Sequence, residues 1–125
     1  MRTMNRLAIL LWAANAEQPD LCAAPFVYAM AAAALDAEVE IHFAGKSVRL
    51  LEQGVAEQAL TSGGKSLYAF MQEASKLGVR FFACSMARVQ FLQGDAVPIE
   101  ELSGDAGATA FIDRALDAEW RTLVF

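Results

Sequence analysis

The residue best suited to chemistry in this chain is Cys84, which ends the predicted strand that begins at Val79 and precedes a segment with a helical pattern. A cysteine between a strand and a helix lies at the carboxyl edge of a parallel sheet, beside the unpaired N–H groups that open the helix. Those groups and the helix dipole favour a negative charge. Since the thiolate is the nucleophilic form of cysteine, this location favours a reactive sulfur.

Three neighbours of Cys84 are candidates for supporting roles. Ser85 and Met86 would offer backbone N–H groups to an anionic sulfur. Arg88, one turn further along the helix, would add positive potential if its side chain points back towards the sheet edge. The alternative is that Cys84 is a small apolar residue that finishes a buried strand. Position alone does not decide between the two interpretations.

Two further residues are candidates for partners of Cys84. Cys22 lies near the start of the first long helix, at the same predicted edge, and could act as a resolving thiol. A buried small residue is the alternative, and a disulfide would need the two Cα atoms within about 7 Å. His42 takes the face of its strand opposite to Ile41 and Phe43 and could donate a proton if it reaches the edge. Its alternative is a structural histidine bonded to a neighbour.

A glycine-containing segment, Gly63–Ser66, resembles the end of a phosphate-binding loop. The motif requires a glycine where Ala59 stands, and no strand precedes the segment. We interpret it as a lead-in to a helix capped by Ser66, with Lys65 near the site edge. The acidic residues of the C-terminal third show no spacing that singles out a catalytic pair: Glu100, Glu101, Asp105 and Asp113.

The length and composition indicate one domain, residues 1–125, that associates with copies of itself. The chain is 56% apolar, with a mean hydropathy of +0.32, which is more apolar surface than a small domain can bury. A net charge of −5 and a pI near 4.8 argue against nucleic acid as a partner. Two distant cysteines and a single histidine give no metal-binding pattern.

The N-terminal segment has the outline of a secretory signal, because Arg2 and Arg6 precede the apolar run Leu7–Ala14. We interpret the run as a buried first strand. The apolar stretch Leu21–Leu35 is too short to span a bilayer. We therefore expect no membrane association and a cytoplasmic protein, in which thiols stay reduced.

Strands and helices alternate along the whole chain. The predicted strands are Leu7–Trp12, Val39–Phe43, Val79–Cys84, a short or extended segment near Ile99, and Arg121–Phe125. The predicted helices are Ala23–Leu35, a short one between Ser47 and Gly54, Ser66–Leu77, Ser85–Gln93 and Ala106–Ala118. Asp20 is expected to cap the first helix and Pro25 to lie in its first turn. This order predicts a parallel sheet covered on both faces.

The stretch Gly78–Ala87, with the sequence GVRFFACSMA, resembles the cysteine segment of DsrE/DsrF-like proteins. In that family a strand delivers a cysteine into a short loop or helix start, often as Ala-Cys-x-Met. Downstream, Ile99–Leu102, Gly104 and the helix start Ala106–Ala108 are also similar, as is the upstream order of strand, apolar helix, strand and glycine. The resemblance covers most of the chain, and its specific part is the cysteine segment.

The resemblance implies a three-layer α/β/α sandwich with a mostly parallel five-stranded sheet, assembled into trimers or hexamers. It further implies that Cys84 carries sulfur as a persulfide. Family subunits with established roles tend to have an Ala-rich segment after their cysteine, whereas this chain has Ser85 and Met86. The chain is therefore more similar to the uncharacterised branch, and the chemistry carries over better than the pathway does.

The function that follows is a sulfur-relay protein that accepts sulfane sulfur on Cys84 and passes it to a partner thiol, with a sulfurtransferase activity left open. Its partners would be sulfur donor and acceptor proteins or small thiols, and no organic cofactor or metal is expected. One alternative is a non-catalytic, homo-oligomeric binding or assembly module with an inert Cys84. Another is a thiol-redox protein in which Cys84 attacks and Cys22 resolves.

Overall fold

A computed structural model describes residues 5–92 and 94–125. These residues form the strands β1 (Arg6–Leu11), β2 (Glu38–Phe43), β3 (Arg80–Ala83), β4 (Leu102–Asp105) and β5 (Trp120–Val124). The helices are α1 (Pro19–Ala34), α2 (Val55–Gln58), α3 (Leu67–Lys76), α4 (Ser85–Phe91) and α5 (Ala108–Leu116), with a 3-10 helix at Gly45–Leu51.

The five strands form one sheet in the order β4-β3-β2-β1-β5. Every neighbouring pair is parallel, so all carboxyl ends meet at one edge. Helices α1 and α3 cover one face, and α5 packs on the other. The predicted three-layer α/β/α sandwich with a five-stranded sheet is therefore confirmed, and the sheet is parallel throughout.

The main core lies between the sheet and the layer of α1 and α3. Alternate residues of the strands point into it, among them Ile9, Ile41 and Phe81, which are fully buried. Phe26 of α1 packs its ring 6.2 Å from Phe43 and 6.0 Å from Phe81, measured between centroids. Because the side-chain period of a strand is two, the intervening residues face α5.

On that second face, a buried carboxylate binds α5 to the sheet. Glu40 of β2 is 1% exposed. Its Oε1 lies 3.0 Å from His42 Nε2 and 3.2 Å from Arg114 Nε of α5. Its Oε2 lies 3.0 Å from an Nη of Arg80 on β3. We call these four residues the Glu40 cluster, which links β2, β3 and α5.

The first strand and helix differ in detail from the prediction. β1 lies inside the sheet, between β2 and β5, which confirms the buried first strand. α1 begins earlier than predicted, after Gln18, so Pro25 lies in its second turn. The predicted cap by Asp20 is wrong, because that carboxylate instead accepts hydrogen bonds from the backbone and hydroxyl of Ser62. In the described part of the chain, no helix has the length and apolarity that crossing a bilayer requires.

The fourth strand lies later in the chain than predicted. The segment near Ile99 does not join the sheet; Pro98 forms an isolated antiparallel bridge with Glu52, and Ile99 donates its N–H to Leu51. The pairing with β3 begins only at Leu102. Since proline lacks the N–H that a ladder needs, the chain enters the sheet after it.

The Glu40 cluster predicts how stability depends on pH. Burial raises the pKa of Glu40, but hydrogen bonds and charges from Arg114 and His42 outweigh burial, so the pKa lies below its ordinary value of 4.5. A carboxyl whose pKa is depressed on folding stabilises the protein above the unfolded-state pKa, and this contribution is lost as the pH falls through the folded-state value.

We expect Glu40→Gln to lower the free energy of unfolding by about 2 kcal/mol at pH 7, because charge-assisted hydrogen bonds are lost. The difference from the wild type should shrink in acid, because the unfolded wild-type chain is then protonated at this residue while the folded carboxylate resists protonation. Urea unfolding at neutral pH and at about pH 3, below the ordinary glutamate pKa, measures both values. The control is Glu38→Gln, since Glu38 also binds Arg80 but is 34% exposed and should matter less. An equal loss at both pH values would contradict this account.

Candidate functional site

Cys84 lies where the sequence predicts, at the carboxyl edge of the sheet. It follows β3 directly and is the residue that caps α4. Its N–H donates to the carbonyl of Phe43 at 2.9 Å, and its carbonyl accepts from the N–H of Arg88 at 2.9 Å. The residue is partly exposed. Its backbone is thus fixed on both sides, and the residue as a whole is only partly buried.

The Cys84 side chain lines an apolar pocket of about 180 Å³. Leu10, Phe111 and Ile112 contribute to its walls, and Gly107 at the start of α5 closes one side. Its surface is formed almost wholly by apolar atoms. A thiol beside such a pocket can meet a small apolar molecule away from bulk water.

His42 lines the same pocket from β2. Its ring is 4% exposed and its Nε2 is bonded to Glu40. His42 is therefore a structural histidine bonded to a neighbour, as the alternative interpretation predicted. It also lies near the carboxyl edge of the sheet and shares the pocket with Cys84. His42 and Cys84 are the two pocket residues that have a nitrogen or a sulfur atom in the side chain.

The predicted supporting residues lie on α4 but differ in their surroundings. Ser85 and Met86 are exposed at its first two positions. Arg88 directs its guanidinium to Asp105 at the end of β4, with 2.6 Å between Nη1 and Oδ1. This ion pair borders a second groove of about 300 Å³ that Ser85 also lines. The charge of Arg88 is thus balanced by a carboxylate, which weakens its effect on Cys84.

Cys22 is not among the residues that line the pocket of Cys84. It is 2% exposed, and its sulfur accepts from the N–H of Asn15 at 3.1 Å and donates to the carbonyl of Asn15 at 3.0 Å. Burial raises the pKa of the Cys22 thiol, and the hydrogen bond from Asn15 opposes this only in part. It lines a pocket with Phe125 that does not include Cys84. Its resolving role stays a prediction.

The glycine-containing segment Gly63–Ser66 leads into helix α3. The Ser66 hydroxyl accepts a hydrogen bond from the N–H of Ala69, so the predicted cap of α3 is confirmed. Lys65 pairs with Glu73, at 2.6 Å between Nζ and Oε2, and covers the ring of Phe70. Lys65 is therefore engaged along α3 and is not among the residues that line the pocket of Cys84.

The sequence interpretation predicted the start of α5 but assigned neither it nor Glu40 to the site. One signal was available, because Glu40 and His42 stand two residues apart on one strand and must share a face. Nothing in the sequence indicated that Arg114, 74 residues away from Glu40, completes the cluster. Within residues 5–92 and 94–125, no three histidine, cysteine or carboxylate side chains are grouped as ligands for a metal ion.

Comparisons with known proteins give a consistent result. The model of the DsrE/DsrF-like family matches residues 9–125. A protein of unknown function from Methanobacterium thermoautotrophicum, MTH1491, has a similar structure with a TM-score of 0.68 and 18% identity, covering 97% of this chain and 99% of that one. The YchN protein of E. coli also has a TM-score of 0.68, with 12% identity over 98% and 100% of the two chains. No curated protein matches in sequence.

The contrast between the two cysteines predicts their order of reaction. When the native protein is treated with iodoacetamide, we expect Cys84 to be modified first and Cys22 to be protected, because access to Cys22 requires local opening. Peptide mass spectrometry after short exposure identifies the modified residue. Cys84→Ser should abolish the rapid reaction, and Cys22→Ala should leave it unchanged. Equal rates at both sulfurs would show that burial does not control access here.

Proposed function

Because this chain belongs to the DsrE/DsrF-like family, we propose that it is a sulfur-relay protein that carries sulfane sulfur as a persulfide on Cys84. Membership of the family indicates a role in sulfur relay in general. The observation that supports the finer assignment is the position of Cys84, a partly exposed thiol at the carboxyl edge of the sheet beside an apolar pocket. Ligands of open α/β sheets bind at this edge.

The proposed chemistry uses thiols alone. The thiolate of Cys84 attacks the sulfane sulfur of a donor, a new S–S bond forms, and the electron pair of the broken bond leaves with the donor thiolate. An acceptor thiolate on a partner then attacks the outer sulfur of the persulfide. That step releases Cys84 as a thiolate, so the protein returns to its starting state.

The surroundings of Cys84 favour both halves of this cycle. Ser85 and Met86 open α4, where backbone N–H groups can bind the negative charge of a persulfide. Met86 is 77% exposed and Val89 is 83% exposed, so apolar side chains stand at the protein surface near the thiol. Such side chains are suited to contact a partner, which could be a second copy of the chain or an acceptor protein.

The two alternative functions receive less support. An inert assembly module would explain the exposed apolar side chains. It gives no reason for a cysteine at a partly exposed position, because an inert cysteine could equally be buried, and Cys84 is partly exposed. A thiol-redox protein would need Cys22 to meet Cys84. Cys22 is instead buried and bonded to Asn15, so that reaction would require α1 or its preceding loop to move.

The proposal is tested by intact-protein mass spectrometry after treatment with polysulfide, or with thiosulfate and a sulfurtransferase. We expect the wild type and Cys22→Ser to gain one or more sulfur atoms that dithiothreitol removes. The gain should vanish in Cys84→Ser, because only the reachable thiol can attack the donor. No gain in the wild type, together with an unreactive Cys84, would leave the assembly module as the better account.

A further inference from the structure

His42 carries one hydrogen-bonding atom that nothing in the described part of the chain satisfies. Its Nε2 lies 3.0 Å from Glu40 Oε1, whereas its Nδ1 is buried and without a partner among those residues. Buried polar atoms in native proteins almost always have partners. Because His42 also lines the pocket of Cys84, this unpaired nitrogen is suited to receive a hydrogen during a reaction at the site.

The bond to Glu40 decides which nitrogen of the neutral ring carries the hydrogen. An ionised carboxylate only accepts, so Nε2 donates and Nδ1 keeps its lone pair. Burial raises the pKa of Glu40, but Arg114 and His42 lower it overall, so the carboxylate is ionised at neutral pH. The basic atom of His42 is then Nδ1.

His42 and Cys84 share one face of the sheet. His42 pairs with Phe82 across β2 and β3, and Cys84 follows two residues after Phe82 with an extended backbone. Because side chains alternate between the two faces of a strand, His42 and Cys84 are neighbours on this face, diagonal across the β2–β3 pair. Both residues line the same pocket.

The remaining surroundings of His42 are apolar. The rings of Phe82 on β3 and Phe111 on α5 each lie 5.5 Å from the imidazole, measured between centroids. Leu10 of β1 shares the pocket. The charged side chains next to the ring belong to the Glu40 cluster, in which Arg80 of β3 and Arg114 of α5 neutralise the carboxylate.

We propose that His42 is the acid–base residue of this site and that the pocket receives a small, uncharged sulfane-sulfur donor. This inference rests on the proposed function of Cys84. Nδ1 takes the proton of the Cys84 thiol through one bridging water, while the sulfur of Cys84 attacks the outer sulfur of a hydropersulfide, R–S–SH. The S–S bond of the donor breaks, and its electron pair leaves on R–S⁻. His42 returns the proton to R–S⁻, so Cys84–SH and R–S–SH become Cys84–S–SH and R–SH.

The pocket sets the size and charge of the donor. Its volume of about 180 Å³ is close to that of an engineered apolar cavity of about 150 Å³ that binds benzene. A charged R group would lose its hydration among apolar walls without a compensating partner. The leaving R–S⁻ is better placed, because the pocket reaches the start of α5 at Gly107 and Ala108, where the N–H groups that open a helix can donate hydrogen bonds to an anion.

The acid–base role is tested by the pH profile of Cys84 alkylation with iodoacetamide, from roughly pH 5 to pH 9, where imidazole titrates. We compare Cys22→Ala with the double variant Cys22→Ala, His42→Gln. The glutamine amide can still donate to Glu40 but cannot take a proton. Because a positioned base contributes about 10²–10⁴-fold, we expect the rate at pH 7 to fall at least about tenfold. An unchanged profile would overturn the inference.

The size and charge of the donor are tested with two thiol reagents on the same background, neutral methyl methanethiosulfonate and its anionic sulfonatoethyl analogue. Each rate is divided by that of a free small thiol. We expect Cys84 to prefer the neutral reagent. The matched control is Ile112→Ala, a pocket residue that is 53% exposed, which should relax this preference and keep the pH profile. Equal normalised rates for the two reagents would contradict an apolar donor site.

A measurement on the wild type does not depend on how the variants fold. Since the chain contains a single histidine, its ¹⁵N-labelled imidazole signals belong to His42. We expect the Nε2–H tautomer at neutral pH, and a change in the Nδ1 signal when Cys84 is alkylated. A ring with its hydrogen on Nδ1 would overturn the inference.

The outcomes separate this inference from the function on which it rests. If His42→Gln slows alkylation but polysulfide leaves no sulfur on Cys84, the carrier function fails and the acid–base role stands. If sulfur loads on Cys84 at the same rate with and without His42, the carrier function stands and the inference fails.

Discussion

The buried carboxylate of Glu40 is the interaction on which the second face of the sheet depends. It is 1% exposed, so its charge would be strongly destabilising without partners. Arg80 and Arg114 supply the opposite charge, and His42 supplies a further hydrogen bond. Because these partners come from β3, α5 and β2 itself, satisfying one carboxylate fixes α5 against the sheet. The same contact orients the imidazole of His42, which lines the pocket, so the packing of α5 and the proposed acid–base role of His42 have one common cause.

The backbone at the strand ends below the pocket is held by a second set of contacts, separate from the Glu40 cluster. The hydrogen-bond ladder of the parallel sheet continues past the strand ends: Cys84 donates to Phe43, Ala106 donates to Ala83, and the first residue after β2 donates to Leu11, all at 2.9 Å. The residues that leave the strands are therefore still held in sheet register. Backbone atoms held in this way need no reorganisation when a ligand arrives, which is the condition that preorganised sites satisfy.

The sequence predicts the part of this arrangement that depends on local pattern. The apolar run before Cys84 and the helical segment after it place the thiol at the sheet edge, because strand and helix periods are local properties. The fourth strand was misplaced near Ile99, since Leu102–Asp105 contains serine and glycine and owes its pairing to β3 rather than to its own propensity. The link between Glu40 and Arg114 joins residues 74 positions apart. No local pattern can specify such a contact, so the role of His42 becomes visible only in the folded chain.

The site thus combines His42, which the Glu40 cluster holds in place, with helix α4, which makes few buried contacts. α4, which carries the residues after Cys84, buries only Ala87 among its seven residues, and its Arg88–Asp105 ion pair is partly exposed. Elements with few buried contacts open at lower free energy than the core. In the proposed relay, Cys84 would meet a donor and later an acceptor, so its thiol would have to become accessible twice in each cycle. If α4 opens while the hydrogen-bonded strand ends stay in register, both encounters can take place. His42 and Glu40 then keep their positions throughout the cycle.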